Sequence, residues 1–301
     1  MPKSARRAVR DAPQITLCSA TSKGRRKTQE DAVFQWQISP HAAVLAVFDG
    51  HNGHAVADFG AECLEREFMT GRLQQALLDV RGANPARHLL DELSRRIGRA
   101  PPALAEGTGA AATIIVVSPT HIHCAHLGDC DAVLYRKPHE GGEGGSLVAR
   151  QLTEPHRPGT ARERARLEAM PDHAVIDRET RMQDDGIAYP FGPFRVYRVT
   201  EDGAKRGGLA VSRALGNLGL RPAVSSEPEA ISVARTSQND VCVVLGSDGL
   251  WDVAGVDEIA MWLTESPGDG RSHALTAAAG LLDMALQKGS QDNVSAGVIW
   301  L

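Results

Sequence analysis

Short apolar runs broken by glycines, prolines and acids set the pattern of the chain. Residues 43–48 form one such run, too short for a helix and rich enough in branched and aromatic side chains to read as a buried strand. It stops abruptly at Asp49-Gly50-His51-Asn52-Gly53-His54. Before it, residues 32–38 alternate apolar and polar as a half-buried strand does, and Ser39-Pro40 marks a turn. So short a connection makes the two strands antiparallel neighbours, which brings Glu30, at the start of one, beside Asp49, at the end of the other. Residues 15–20 predict a further strand, and 22–29 a polar, basic loop. The same rhythm returns at 113–117, 122–127 and 132–136, again at 227–234 and 241–246, and last at 294–300. The run at 241–246 ends in Ser247-Asp248-Gly249-Leu250-Trp251-Asp252, a second apolar strand closing on Asp-Gly.

Helical spacing takes over at 55–69, where Val56, Phe59, Cys63 and Leu64 recur on one side. Helices are also predicted at 73–80, 85–97, 162–170, 256–263 and 273–287. In the last, Leu275, Ala279, Leu282 and Leu286 share a face and Gly289 is a natural stop. The glycine-rich stretch 141–146 lacks the Lys and Ser/Thr of a nucleotide cradle and reads as a loop. Residues 151–208 are the least regular part. Tyr189-Pro190-Phe191-Gly192-Pro193-Phe194 reads as no regular element, and a long irregular segment in a compact domain is either functional or disordered. No internal repeat and no linker divides the chain. Both strand-rich halves need covering helices, so the expected architecture is α+β, with two mostly antiparallel sheets packed face to face.

The 301 residues are 42% hydrophobic and 23% charged, as suits a soluble globular protein. A net charge of −4 argues against a nucleic-acid-binding surface. The first ten residues are locally basic (Lys3, Arg6, Arg7, Arg10), and residues 1–13 read as a mobile tail. No apolar run approaches the roughly 20 residues of a membrane helix, no secretory leader is evident, and Pro2 excludes N-myristoylation. The five cysteines are odd in number and lack zinc-type spacing; Cys18, Cys63, Cys124 and Cys242 lie in or beside apolar runs, as core residues do. A reducing compartment follows, cytoplasmic or nuclear.

The candidate chemistry lies in the acids. Glu30, Asp49, Asp129, Asp248, Asp252 and Asp292 each sit at or beside a predicted strand end or in a glycine-containing loop. Singly, each reads as a solvated loop carboxylate. Gathered together they repel one another unless cations bind, and hard cations such as Mg²⁺ and Mn²⁺ take oxygen ligands. A few carboxylates, one bridging two ions, is an arrangement for hydrolysing phosphate esters. His51 adds a side chain that titrates near neutrality.

Seven stretches, in order, carry a family resemblance: Gln29-Glu30-Asp31, Val47-Phe48-Asp49-Gly50-His51-Asn52-Gly53, Leu127-Gly128-Asp129, Gln151-Leu152-Thr153-Glu154-Pro155-His156-Arg157-Pro158, Leu209-Ala210-Val211-Ser212-Arg213-Ala214-Leu215-Gly216, Ser247-Asp248-Gly249-Leu250-Trp251-Asp252 and Ser290-Gln291-Asp292-Asn293. With them the chain resembles the metal-dependent protein phosphatases, the PPM or type 2C serine/threonine family. The resemblance implies a four-layer α-β-β-α sandwich, with residues 14–301 a single phosphatase domain and about 159–208 an extended flap. It implies two Mn²⁺ or Mg²⁺ ions per subunit with a weaker third. Asp49 would bridge two ions, with the Gly50 carbonyl and Glu30 on one of them and Asp31 acting through its water. Asp248 and Asp292 would hold the other, and Asp129 and Asp252, with Asp248, the third. Arg26 matches the arginine that grips the substrate phosphate, or Arg25 if the loop register differs by one. His51 is the candidate general acid. Substrates would be phosphoserine and phosphothreonine proteins, with no phosphoenzyme, no nucleic acid, no membrane and a monomeric state.

Three departures stand out. Asn217 occupies a position where the family has Asp, Cys130-Asp131 replaces Ser-Arg after Gly128-Asp129, and the segment between Pro158 and Leu209 is longer than the usual flap. A catalytically silent family member that binds partners as a scaffold and a different metal-dependent phosphohydrolase acting on small molecules are the alternative functions.

Overall fold

The computed structural model describes residues 14–71, 83–138, 146–182, 188–201, 203–236, 239–265 and 271–301. The basic tail, the expected helix at 73–80 and the glycine-rich loop up to residue 145 lie outside the described residues.

The central strand β3 (Ala42–His51) explains the architecture. Successive side chains of a strand point to opposite faces, so a run that is apolar at every position must be covered on both. Val44, Ala46 and Phe48 pack into a core on one side, and Ala43, Leu45 and Val47 into a different core on the other. β3 pairs antiparallel with β2 (Asp31–Ser39) and β4 (Gly109–Val117). β5 (His121–Leu127) and β12 (Glu229–Ala234) complete this sheet in the order β12-β5-β4-β3-β2, and the two-residue β11 (Leu215–Gly216) pairs with the start of β4. The second sheet runs β1-β14-β13-β6-β7, from β1 (Thr16–Ser22), β14 (Val294–Trp300), β13 (Asp240–Gly246), β6 (Asp131–Arg136) and β7 (Val148–Gln151). Leu45, Ile115, Leu134, Val243, Leu245 and Ile299 fill the space between the sheets.

Helices α1 (Ala55–Met69) and α2 (Pro85–Ile97) cover the first sheet through Leu64, Phe68, Leu90 and Leu93. The one-turn α3 (Pro102–Ala105) leads into β4. On the second sheet lie α6 (Val256–Glu265) and α7 (Arg271–Gln287), after the one-turn α5 (Asp248–Trp251). The result is the four-layer α+β sandwich. Within α7 the expected face is met in part: Leu282 is buried and Leu286 packs on the core, but Leu275 is 60% exposed, and Ala274, Ala277, Ala278, Leu281 and Ala285 are buried with Leu282. Alanines let the helix lie close on the sheet, where Cys18 meets Ala277 and Ala278.

The flap is more ordered than its sequence suggests. After α4 (Ala161–Glu168) come β8 (Ala174–Met182), β9 (Ala188–Val199) and β10 (Lys205–Leu209), a third antiparallel sheet in the order β10-β9-β8. The stretch 189–194, expected to be irregular, belongs to β9. Pro193 is tolerated because the β8–β9 register shifts there: Arg178 faces Phe194 and Glu179 faces Phe191, leaving Gly192-Pro193 as a bulge, while Pro190, opposite Thr180, lies where β10 does not pair with β9. Arginines take the place of a core on the exposed part, with Arg181 over the Phe191 ring and Arg164 and Arg178 over Phe194. A small cluster including Leu167, Val196 and Leu209 anchors the base.

Candidate active site

The antiparallel pairing of β2 with β3 sets Asp31 opposite Asp49, and Gly50 N–H donates to the Glu30 carbonyl at 3.1 Å. A Cβ on Gly50 would stand 2.3 Å from that carbonyl oxygen, so glycine is required for the approach. Asp49 lies within the end of β3 and not beyond it, so the sheet ladder fixes its backbone on both sides. Asp129 follows β5, and Asp248 opens α5 immediately after β13. Carboxylate oxygens of Asp49, Asp129 and Asp248 lie within 4.8 Å of one another. They share a cleft of about 360 Å³ with Glu30, Gly50, His51, Asp292 and Arg26.

Electrostatics sets this cluster apart. Burial, then the charges of Asp31, Asp248, Asp129 and Asp292, push Asp49 well above the ordinary carboxylate range. Burial, then Asp129, Asp252 and Asp292, raise Asp248 to about 8. Burial also raises Asp129, against the pull of Arg157. Asp31 is held inward, accepting from Ser247 Oγ at 2.9 Å and Ser295 Oγ at 2.7 Å; burial still lifts it to about 6. Acids that raise one another's proton affinity in this way suit a hard-cation ligand set, and all the donors are oxygens.

The remaining expected residues are placed as follows. Glu30 accepts from Gly53 N–H at 3.0 Å and Thr28 Oγ1 at 3.2 Å. Asp292 accepts from Arg26 at 2.5 Å and from Asn293 N–H at 2.7 Å, so Arg26 lies folded along the cleft wall. Asp252 stands apart from the triad, its side chain 56% exposed and bonded to Arg157. His51 Nε2 lies 2.7 Å from Asn217 Oδ1, while Asn217 Nδ2 donates to the Gly107 carbonyl. The amide thus acts as acceptor, the imidazole carries its proton on Nε2, and Nδ1 remains for proton exchange. Burial lowers the His51 pKa, partly offset by the Asn217 bond. His54 caps α1 and bonds Asp58, away from the chemistry.

Three contributors escape a reading of sequence. Asn293 is a hub: its Oδ1 accepts from Glu30 N–H and its Nδ2 donates to the Lys23 and Thr28 carbonyls, tying the basic loop to β14. Arg195 of β9 reaches the cleft from the flap. Arg157 joins Asp129 to Asp252. The only local signal was the position of Asn293 and Arg157 inside motifs already singled out. A second acid–histidine group, His126, His156 and Glu229, is of another kind. Its rings stack at 4.4 Å and 12°, so their in-plane lone pairs run side by side, and Arg162 and Arg213 already neutralise Glu229.

The fold is an antiparallel two-sheet sandwich whose acid-lined cleft, at the ends of β3 and β13, offers oxygen ligands that could hold a metal ion. Residues 17–294 match the family model Protein phosphatase 2C, and the chain belongs to that family. It is 31% identical to Protein phosphatase 2C 77 of Arabidopsis thaliana over 87% of its own length and 61% of that protein's. It is also 31% identical to Probable protein phosphatase 1N of Homo sapiens over 92% and 59% of the two chains. It thus spans about three-fifths of the length of these curated relatives. Among solved structures it is similar to a serine-threonine phosphatase 2C from Toxoplasma gondii, with a TM-score of 0.72 at 19% identity over 96% of each chain, a likeness of fold. It also resembles a C. elegans sex determining protein, with a TM-score of 0.69 at 25% identity, over 95% of this chain and 65% of that one.

Proposed function

We propose that the chain is a Mn²⁺- or Mg²⁺-dependent protein serine/threonine phosphatase acting on phosphoserine and phosphothreonine in proteins. The observation that carries this reading is the convergence of Asp49, Asp129 and Asp248 in a cleft that also holds Arg26 and His51. Asp49 would hold two ions jointly, Glu30 and the Gly50 carbonyl one of them, Asp248 and Asp292 the other, with Asp31 acting through water. Bound there, the ions supply charge neutralisation and an activated water for in-line attack on phosphorus. Arg26 swings from Asp292 to the phosphoryl oxygens, where its fork of donors offsets their charge. His51, as the imidazolium with its Nε2–H held by Asn217, gives its Nδ1 proton to the departing serine or threonine oxygen and is left neutral. No covalent intermediate is formed on cysteine: all five thiols are buried, and burial pushes Cys130 far up.

Residues 14–301 act as one catalytic domain, monomeric, with 159–208 as the flap. The five free, buried cysteines support a reducing compartment, cytoplasmic or nuclear. Among the described residues no helix is long and apolar enough to cross a membrane. The test is phosphate release from a phosphothreonine peptide by metal-stripped protein with Mn²⁺ added or withheld. Release that requires Mn²⁺ is expected; folded, Mn²⁺-loaded protein that releases none from peptide overturns the reading.

A further inference from the structure

Arg157 joins the acid cluster to its outlying member. Its Nε donates to Asp129 Oδ2 at 2.9 Å and a terminal nitrogen donates to Asp252 Oδ1 at 2.9 Å. Asp129 is also one of the three converging carboxylates, so the guanidinium touches the cluster directly. The backbone that presents it is fastened on both sides. His156 N–H donates to the Gly128 carbonyl, and Gly128 N–H returns a bond to His156 Nδ1 at 3.1 Å. The Arg157 carbonyl accepts from both Thr160 N–H and Thr160 Oγ1. A planar fork held in place this way spans two carboxylates with directed bonds and never loses its charge.

We infer that Arg157 is a built-in counter-cation standing where the two acids Asp129 and Asp252 would otherwise take up a third hard cation, so that the centre retains two ions and not three. The inference rests on the two-metal reading above and specifies its stoichiometry. An ion entering between Asp129 and Asp252 must displace a pre-organised guanidinium and break two charge-assisted bonds. The other positions, around Asp49, Asp248, Glu30 and Asp292, are not touched by Arg157 and keep their ligands.

Mn²⁺ bound per chain is measured by equilibrium dialysis at millimolar metal for wild type, Arg157→Ala and the double variant Arg157→Ala/Asp252→Asn. Wild type is expected to hold two ions, Arg157→Ala three, and the double variant two again. In chelator, Arg157→Ala should melt below wild type, because Asp129 has lost its counter-charge, and Mn²⁺ should restore it by a larger shift. If Arg157→Ala does not fold, Arg157→Lys replaces it, since an ammonium is a point charge that cannot span both acids; a third ion is expected there too. Three ions in wild type and variant alike, or two in both, overturns the assignment and leaves the two-metal reading standing. No ion in either overturns the two-metal reading and the assignment with it.

Discussion

Two groups of acids, one around Glu163 and one around Asp129, stand in opposite electrical states. Around Glu163 every charge is answered. Its Oε1 accepts from Arg213 Nε at 3.0 Å and from a terminal nitrogen at 2.6 Å, and its Oε2 from Ser212 Oγ and Arg166 Nε. Burial raises its pKa, but the bonds from Arg213 and Ser212 outweigh it and bring the group to about 2. Around Asp129 the acids outnumber the cations, and burial followed by neighbouring carboxylates pushes Asp49 and Asp248 upward. The first group fastens α4, at the root of the flap, to the Ser212-Arg213 segment of the body. The second is left short of positive charge at the cleft floor. Saturated acids hold structure together; a buried cluster that destabilises its own ionised form is a place prepared for a ligand.

The largest effect should come from Asp49→Asn, which removes the shared ligand. Turnover of a phosphothreonine peptide should fall by about a thousandfold or more. In chelator the same variant should melt above wild type, because a repelling charge is gone; a lower melting point would contradict the account of the cleft. On the saturated side, Glu163→Gln leaves Arg213 without its buried partner. Urea unfolding should show a loss of about 3–5 kcal/mol, and an unchanged midpoint would show the network to be idle.

The two groups also differ in pH response. Glu163 titrates lower when folded, so its contribution is present above about pH 4.5 and is lost as pH falls towards 2. Asp248 and Asp31 titrate higher when folded, near 8 and 6. There the folded state holds more protons than the unfolded, so metal-free stability should fall as pH rises from about 4 to 8. Melts in chelator across that range should show the decline, and saturating Mn²⁺ should abolish it. The smallest change expected is Asn217→Asp. Asn217 is buried in the left-handed region at φ +46, which Asp tolerates, and it bonds His51. A carboxylate there favours the imidazolium, so the alkaline limb of the kcat/KM profile should move up by about one pH unit. A profile that stays put would remove His51 from proton transfer.

What the sequence disclosed follows burial. β3 is buried on both faces, so its residues are apolar throughout and its boundaries are visible; Asp49 and Gly50 stand out against that background. β13 and Asp248 are legible for the same reason. The flap strands expose most of their residues, so neither face constrains composition, and two prolines hide β9 further. The face of α7 is legible only in part: Leu282 and Leu286 mark it, but Leu275 is exposed and small alanines share the buried side, and a spacing of leucines does not reveal those. Long-range partnerships such as Arg157 with Asp252 leave no local pattern, because 95 residues separate the two.

The flap has a further consequence. It packs on a small cluster that it shares with residues 211–224, and among the described residues it reaches the cleft through Arg195 and the segment 207–211. Among the described residues, none of the carboxylates of the cleft comes from it. Lineages could therefore exchange this segment wholesale, as one changes the head of a tool while keeping the handle, and acquire new clientele without renegotiating the catalytic floor.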